Sequence, residues 1–248
     1  MTDINDQHFL KSEKVIKRMI ELADVQREDI VMDLGAGAGA ITKHIPGCKS
    51  IIAVENDSAL AAKLRKLSYA NITVLEADAM RVPLNADKII SNPPFSLLEA
   101  ITYHLFRSSF KRAVFLVPVS FAEKLDSPDT VLGLLAKAFF DIEMHDEVDA
   151  DALEPAPDTS LCLIVLNKKN DAQADDFFVQ QLFLQRDKKT KNALRETYVR
   201  WKKGTKRQGE EFVEKLDLPL TILQKDVPHL EFEDYEIILK RIHEKTVE

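Results

Sequence analysis

The 248-residue chain reads as an α/β protein: stacked β-α units around a mostly parallel sheet, followed by a small all-helical C-terminal domain. Three observations predict this class. Up to residue 169, short apolar runs alternate with stretches of helical periodicity, which is the pattern of repeated β-α units. Several of the runs end in an acid or a glycine that leads into a loop. Beyond residue 170 the strand pattern stops and only amphipathic helical stretches follow. The length exceeds the usual single-domain mode, which favours a domain with an appendage over one large unit.

Taken in order, Ser12 is placed to cap a helix in which Val15, Ile16, Met19, Ile20 and Ala23 recur at three and four residues and give one apolar face. Ile30-Val31-Met32-Asp33-Leu34 is a strand running into Gly35-Ala36-Gly37-Ala38-Gly39, where a helix is expected to start. Ile51-Ile52-Ala53-Val54 leads into Glu55-Asn56-Asp57, with a helix from Ser58 onward. Further strands are expected at 72–75, 88–91, 113–117 and 161–166, and a helix at 96–106. Helical stretches at 174–184, 191–201 and 232–242 compose the tail. The polar run Asn167-Lys168-Lys169-Asn170-Asp171 is the expected boundary, giving domains 1–169 and 170–248.

Composition narrows the class of function. Hydrophobic residues make up 45% and charged residues 30%, ordinary values for a soluble globular protein, and no apolar run is long enough to span a bilayer. The start Met1-Thr2-Asp3-Ile4-Asn5-Asp6 lacks the basic residues and apolar core of a secretion signal, so a cytoplasmic protein is expected, without a membrane partner and as a monomer. Cys48, Cys162 and six scattered histidines offer neither metal-ligand spacing nor a disulfide framework, and no metal is expected. The net charge of −7 argues against a surface coated in positive potential. One stretch departs from it. Lys188, Lys189, Lys191, Arg195, Arg200, Lys202, Lys203, Lys206 and Arg207 gather near Tyr198 and Trp201, opposed within the stretch only by Glu196. Such a run is either a phosphate-binding surface or a solvated helix face.

Chemistry is carried by Asn92-Pro93-Pro94-Phe95 at the exit of a strand. An aromatic exocyclic amine is a poor nucleophile because its lone pair is delocalised into the ring. A site that methylates it needs acceptors that draw the amine towards tetrahedral geometry. The Asn92 side chain and the Pro93 carbonyl can serve, because consecutive prolines stiffen the turn that aims them. Phe95 adds a stacking face. The glycine loop is ambiguous by itself: Gly35, Gly37 and Gly39 with Glu55 downstream suit a dinucleotide or an S-adenosylmethionine site. Asp33 before the loop, Glu55 ending the second strand, Glu76-Ala77-Asp78-Ala79 ending the third and Asn92 ending the fourth form a methyltransferase order.

Gln7-His8-Phe9-Leu10, Asp33 to Gly39, Glu55-Asn56-Asp57, Asp78-Ala79 and Asn92-Pro93-Pro94-Phe95 occur in register, and with them the chain resembles the ribosomal RNA adenine dimethyltransferases over nearly its whole length. That family includes the small-subunit dimethylases and the erythromycin-resistance methylases. Phe183 to Leu194 resembles the opening of the small-subunit enzymes' helical domain, and Leu153-Glu154-Pro155-Ala156-Pro157 resembles their proline-rich loop. The resemblance implies a Rossmann-like fold with S-adenosylmethionine over the sheet's carboxyl edge. Gln7, His8 and Leu10 would close on its methionine end, with Asp33, Gly35 and Gly37 beneath. Glu55 and Asn56 would meet the ribose, Asp78 and Ala79 the adenine, and Asn92 both cofactor and target amine. Asn92, Pro93 and Phe95 are the implied catalytic set; a local packing role is the alternative for His8.

Three positions depart from the family pattern. Pro93 stands where leucine or isoleucine is usual, as in adenine-amine DNA methylases and protein glutamine methylases. Leu153 replaces a phenylalanine that sandwiches the target base, and Asp158 replaces a lysine. The expected function is methylation, and dimethylation, of the adenine N6 amine in ribosomal RNA, with that RNA or the pre-ribosomal small subunit as partner. A methyltransferase for a DNA adenine or protein glutamine, and a non-catalytic assembly or nucleic-acid-binding factor, remain open alternatives.

Overall fold

The computed structural model describes residues 7–67, 70–170 and 173–246. The opening hexapeptide, read above for secretion signals, and Asp171 of the expected boundary lie outside them. The chain divides into two compact units, residues 1–124 with 141–168 and residues 125–140 with 169–248. The second begins at Lys169, beside the expected boundary, and also takes in a segment that the sequence reading left in the first.

In chain order the elements are β1 (Phe9–Leu10), α1 (Glu13–Ala23), β2 (Ile30–Leu34), β3 (Ser50–Glu55), α2 (Ser58–Leu64), β4 (Ile72–Glu76), β5 (Lys88–Ser91), α3 (Leu98–Phe106), β6 (Arg112–Pro118) and α4 (Val119–Asp126). Then come α5 (Val131–Phe139), β7 (Phe140–Val148), β8 (Leu153–Glu154), β9 (Leu161–Lys168), α6 (Ala174–Leu184), α7 (Thr190–Lys202), α8 (Lys206–Lys215), α9 (Leu220–Leu223) and α10 (Phe232–Thr246).

The first unit is built on a seven-stranded sheet in the order β4-β3-β2-β5-β6-β9-β7. From β4 to β6 all neighbours are parallel, and β9 lies antiparallel to β6. Strands β5, β6 and β9 are buried almost throughout, as expected of strands covered on both faces, which is why they read as unbroken apolar runs. The chain winds from β2 outward through β3 and β4, then returns to β5 on the other side of β2. The strand order therefore switches direction between β2 and β5, and the crevice for a ligand opens beyond their carboxyl ends. Leu34 and Ser91 are paired there, and the Ser91 hydroxyl donates to the Leu34 carbonyl at 2.5 Å. Helix α1 is capped by Ser12 and buries Ile16, Met19, Leu22 and Ala23.

Two expectations are corrected. No regular helix follows the glycine loop; the chain makes a single 3-10 turn at Thr42–His44 and then meets Pro46, whose missing N–H and fixed φ stop helix propagation. The loop's binding capacity therefore rests on its own backbone amides rather than on a helix dipole. Strand β7 was not expected, because its apolar residues alternate with Asp141, Glu143, His145 and Glu147 at the sheet's edge, where one side faces solvent. A second, two-stranded sheet pairs β1 with β8 antiparallel, Phe9 opposite Glu154 and Leu10 opposite Leu153.

The second unit is helical. Phe178, Leu182, Phe183, Leu194, Phe212, Ile238 and Ile242 form its buried interior. Gly209 of α8 lets that helix approach α7: a Cβ there would fall 2.7 Å from the Arg195 carbonyl oxygen. Tyr198 stacks on Phe212 with centroids 4.3 Å apart, and Trp201 meets Phe178 edge-on at 5.6 Å, so both aromatics pack against neighbouring helices. Among the described residues no helix is long and apolar enough to cross a membrane.

Candidate active site

The carboxyl ends of β2, β3, β4 and β5 bring the predicted residues to one edge of the sheet. Gly35, Gly37 and Gly39 have φ values of +73°, +57° and +88°, a left-handed region that a residue with a Cβ enters only under strain. The loop is tied to β3 by the amides of Gly35 and Ala36, which both donate to the Val54 carbonyl at 2.9 Å. Glu55 at the end of β3 is buried, at 9% exposure, and anchored at both oxygens. The Gly37 amide donates to Oε2 at 2.7 Å and the Asp57 amide to Oε1 at 2.8 Å. Each carboxylate oxygen retains acceptor capacity, so a preset carboxylate faces the crevice ready for a diol.

Asp33, one residue before the end of β2, is fully buried. The Thr42 hydroxyl donates to its Oδ2 at 2.5 Å, while Oδ1 has no partner among the described residues. Burial pushes this carboxyl up to about 7 against the pull of Thr42, and the neighbouring charge of Glu55 pushes in the same direction. An acid held that way is poised for a cationic or donor group. Asp78 lies two residues beyond the end of β4, half-exposed; its Oδ1 accepts from the Met80 amide at 2.9 Å and its Oδ2 lies 3.7 Å from Arg81. Ala79 is half-buried beside it, and Asn56 is exposed.

At the end of β5, Asn92 has its amide committed and its acceptor open. Nδ2 donates to the His8 carbonyl at 2.8 Å, whereas Oδ1 is buried without a partner among the described residues. A buried orphan acceptor costs about 1–3 kcal/mol, and its persistence here marks where a donor belongs. Pro93 is buried and fixes the turn; Phe95 is half-buried. The His8 ring stacks on Phe95 with centroids 5.3 Å apart and planes inclined by 26°, and its Nδ1 is 2.7 Å from the Pro155 carbonyl.

The segment 7–10 thus straps the Asn92–Phe95 turn, with Gln7 exposed at its start. Its residues divide by strand alternation. Leu10, expected at the cofactor, is 6% exposed and belongs to the core with Ile16 and Leu153, so its side chain turns away from the crevice. Phe9, part of the Gln7 to Leu10 segment but not among the expected site residues, lies against Gly37, its ring 3.9 Å from where a Cβ would stand, and is 47% exposed. The signal was available: in a strand whose residue 10 is core, residue 9 must face the other way. Leu153 is 1% exposed and offers no surface to a base.

The parts fit an adenosine-containing cofactor: a left-handed glycine loop, an anchored carboxylate at the end of the neighbouring strand β3, and a buried acid on β2 with one oxygen unpartnered among the described residues. With an amide acceptor across the crevice, they define an S-adenosylmethionine-dependent methyltransferase. Residues 5–219 match the family model for ribosomal RNA adenine dimethylase, and the chain belongs to that family. Its relatives include proteins named probable ribosomal RNA small subunit methyltransferase A. The one from Pyrococcus abyssi is 30% identical over 200 residues, covering 77% of this chain and 74% of its own. The one from Methanosarcina mazei is 32% identical over 207 residues, covering 77% and 76%. Among solved structures, a dimethyladenosine transferase from Plasmodium falciparum superposes with a TM-score of 0.66 at 22% identity, covering 96% of this chain and 98% of that one. The 23S rRNA methyltransferase ErmE gives 0.63 at 21% identity, covering 95% and 99%. These two establish the fold.

Proposed function

We propose that the protein methylates the exocyclic N6 amine of adenine in small-subunit ribosomal RNA, twice on the same nitrogen. The sequence relatives with the small-subunit name support the choice of subunit. The observation that carries the chemistry is the Asn92 Oδ1, a buried acceptor without a donor, on a side chain whose other end is held by the His8 carbonyl.

In this reading Glu55 and Asn56 hold the ribose, Asp78 and Ala79 the adenine ring, and Asp33, the glycine loop, Gln7 and the backbone of His8 surround the methionine end, the His8 side chain being turned to Phe95. Bound S-adenosylmethionine supplies an electrophilic methyl group on a sulfonium. Asn92 and the Pro93 carbonyl accept from the target amine, holding its lone pair in line with that methyl and out of conjugation with the ring. The methyl would leave its bond pair on the sulfur, and the amine held by Asn92 and the Pro93 carbonyl would shed its proton to solvent, so no side chain is needed as a dedicated base. Alignment supplies most of the acceleration. The extruded base costs a few kcal/mol of stacking, offset by contact with Phe95. A second transfer needs one remaining N–H and room for one methyl. We assign residues 1–169 to this chemistry and the helical 170–248 to RNA contact through Lys191, Lys202, Lys203 and Lys206, in the cytoplasm where ribosomal subunits assemble.

Nucleoside mass spectrometry of small-subunit RNA from cells with and without the gene tests the proposal. Dimethyladenosine should vanish with the gene and return when purified protein and S-adenosylmethionine are added to the unmethylated subunit. An unchanged nucleoside profile refutes it.

A further inference from the structure

We propose that His8 is the second aromatic wall of the target-base slot, the adenine entering between its imidazole and the ring of Phe95. The inference rests on the adenine-methylating reading above and extends it to a residue for which neither the fold nor the family match assigns such a role.

Among the described residues, the ring stacked on Phe95 is that of His8, and neither Leu153 nor Phe9 takes that place. Leu153, in the proline-rich loop, is aliphatic, 1% exposed and paired through its backbone with Leu10. Phe9 lies over Gly37. His8 is already stacked on Phe95, with centroids 5.3 Å apart and an inclination of 26°. A flat base needs about 3.5 Å on each side, so a filled slot has its walls about 7 Å apart. Opening the observed pair therefore takes a displacement of roughly 2 Å.

The imidazole is held in a way that suits a wall. A carbonyl only accepts, so the 2.7 Å contact between Nδ1 and the Pro155 carbonyl places the proton on Nδ1. That bond lies at the ring's edge and leaves its faces clear. The same residue's backbone carbonyl receives the Asn92 amide at 2.8 Å, so one residue holds both the ring that covers the base and the side chain whose open Oδ1 awaits the base's amine. Recognition of the face and of the edge are thereby coupled through residues 8 and 92. A histidine that merely packed would explain the stack, but not the conjunction of an edge-held ring over Phe95 with an orphan acceptor anchored to the same residue.

The test uses the full-length protein and its variants His8→Ala and His8→Phe. In single-turnover methylation of small subunits from cells lacking the gene, His8→Ala should lose roughly 5- to 100-fold in kcat/KM, the worth of one base stack. His8→Phe, which keeps a wall and loses the Pro155 bond, should recover to within about threefold. Affinity for S-adenosylhomocysteine and the thermal midpoint should hold in both. A folded, cofactor-binding His8→Ala with wild-type kcat/KM overturns the wall, and so does a loss that His8→Phe fails to repair. A measurement independent of turnover is the titration of adenosine 5′-monophosphate into the cofactor-saturated wild type, observed at the histidine ring protons by NMR. An upfield ring-current shift of the His8 protons, abolished by Phe95→Ala, supports the wall; unmoved His8 resonances overturn it. Absence of adenine methylation with the shift intact would overturn the proposed reaction and leave the wall standing as a base-binding site.

Discussion

Replacing Asn92 with alanine isolates the amine-aligning step, because the structure predicts little change in stability and a large loss in rate. In the free protein Asn92 Oδ1 is buried without a partner, at a cost of about 1–3 kcal/mol. Its Nδ2 repays part of this by donating to the His8 carbonyl at 2.8 Å. Asn92→Ala removes the orphan acceptor but creates a new orphan in that carbonyl, and the two penalties are of the same size. Net stability should therefore change by no more than about 1 kcal/mol, a shift of about 2–4 °C in Tm for a chain of this length. The transition state loses an acceptor placed on the developing ammonium, an interaction of about 2.7–4 kcal/mol in comparable sites, or a factor on the order of 100 or more. Single-turnover transfer of a radiolabelled methyl group to unmethylated small subunits measures the rate, and calorimetry with S-adenosylhomocysteine measures cofactor binding. A rate within threefold of wild type, with normal cofactor affinity, would refute the alignment argument. A collapse in Tm would refute the claim that the two orphan costs offset.

Asp33 predicts a pH signature. Its folded value of about 7 lies above the ordinary 3.8, so the native state keeps a proton that the unfolded chain releases, and this group lowers stability as pH rises from about 4 to 7, by up to about 4 kcal/mol. Asp33→Asn should flatten that part of the urea-unfolding profile and be no less stable than wild type at pH 8; an unchanged slope would refute the buried-acid account. Lys202→Glu with Lys203→Glu should weaken RNA binding and reduce the salt dependence of log Kd by about two, with cofactor affinity intact; an unaltered slope returns these lysines to a solvated face. Leu153→Phe should cost about 1–3 kcal/mol by overpacking a full core and leave methyl transfer no faster, and a gain in rate would show that this position does reach the base.

The legible part of the fold was the part whose burial is symmetrical or whose period is long. Strands β2, β5 and β9 are sheathed on both faces and announce themselves as apolar runs, and α1 carries its stripe at three- and four-residue spacing. The edge strand β7 was illegible because acids alternate with its apolar residues. Strands β1 and β8 are two residues each, too short for any period, yet their pairing sets the neighbouring His8 beside Pro155 and over Phe95. The site shows the same division. Asp33, Glu55, Asp78 and Asn92 can be read as neighbours from the sequence because each lies within two residues of a strand's carboxyl end, and those ends converge on one edge of a parallel sheet. Thr42 on Asp33, Pro155 on His8 and Phe9 over Gly37 depend on loop paths, which neither propensity nor spacing encodes.

Charge was the property most altered by folding. Within the linear stretch 188–207 only Glu196 opposes nine cations, but the helices bring acids from elsewhere. Lys188 and Arg195 both reach Glu196, and Arg195 also meets Glu210; Lys189 meets Asp226 and Arg207 meets Glu211. Arg200 donates to Gln181. Lys191, Lys203 and Lys206 have no ion-pair partner among the described residues, and the Lys202 ammonium sits 3.6 Å above the centre of the Trp201 ring. Exposed pairs of this kind contribute at most about 1 kcal/mol each, so a phosphate can compete for their cations, but it must first displace an acid that remains nearby. The unpaired lysines pay no such cost. Lys202, Lys203 and Lys206 cluster where α7 ends and α8 begins, around Lys203 with its left-handed φ of 50°, while Lys191 stands in the first turn of α7. An acidic protein can therefore present a local cationic corner to RNA while the rest of its basic stretch serves to join its own helices.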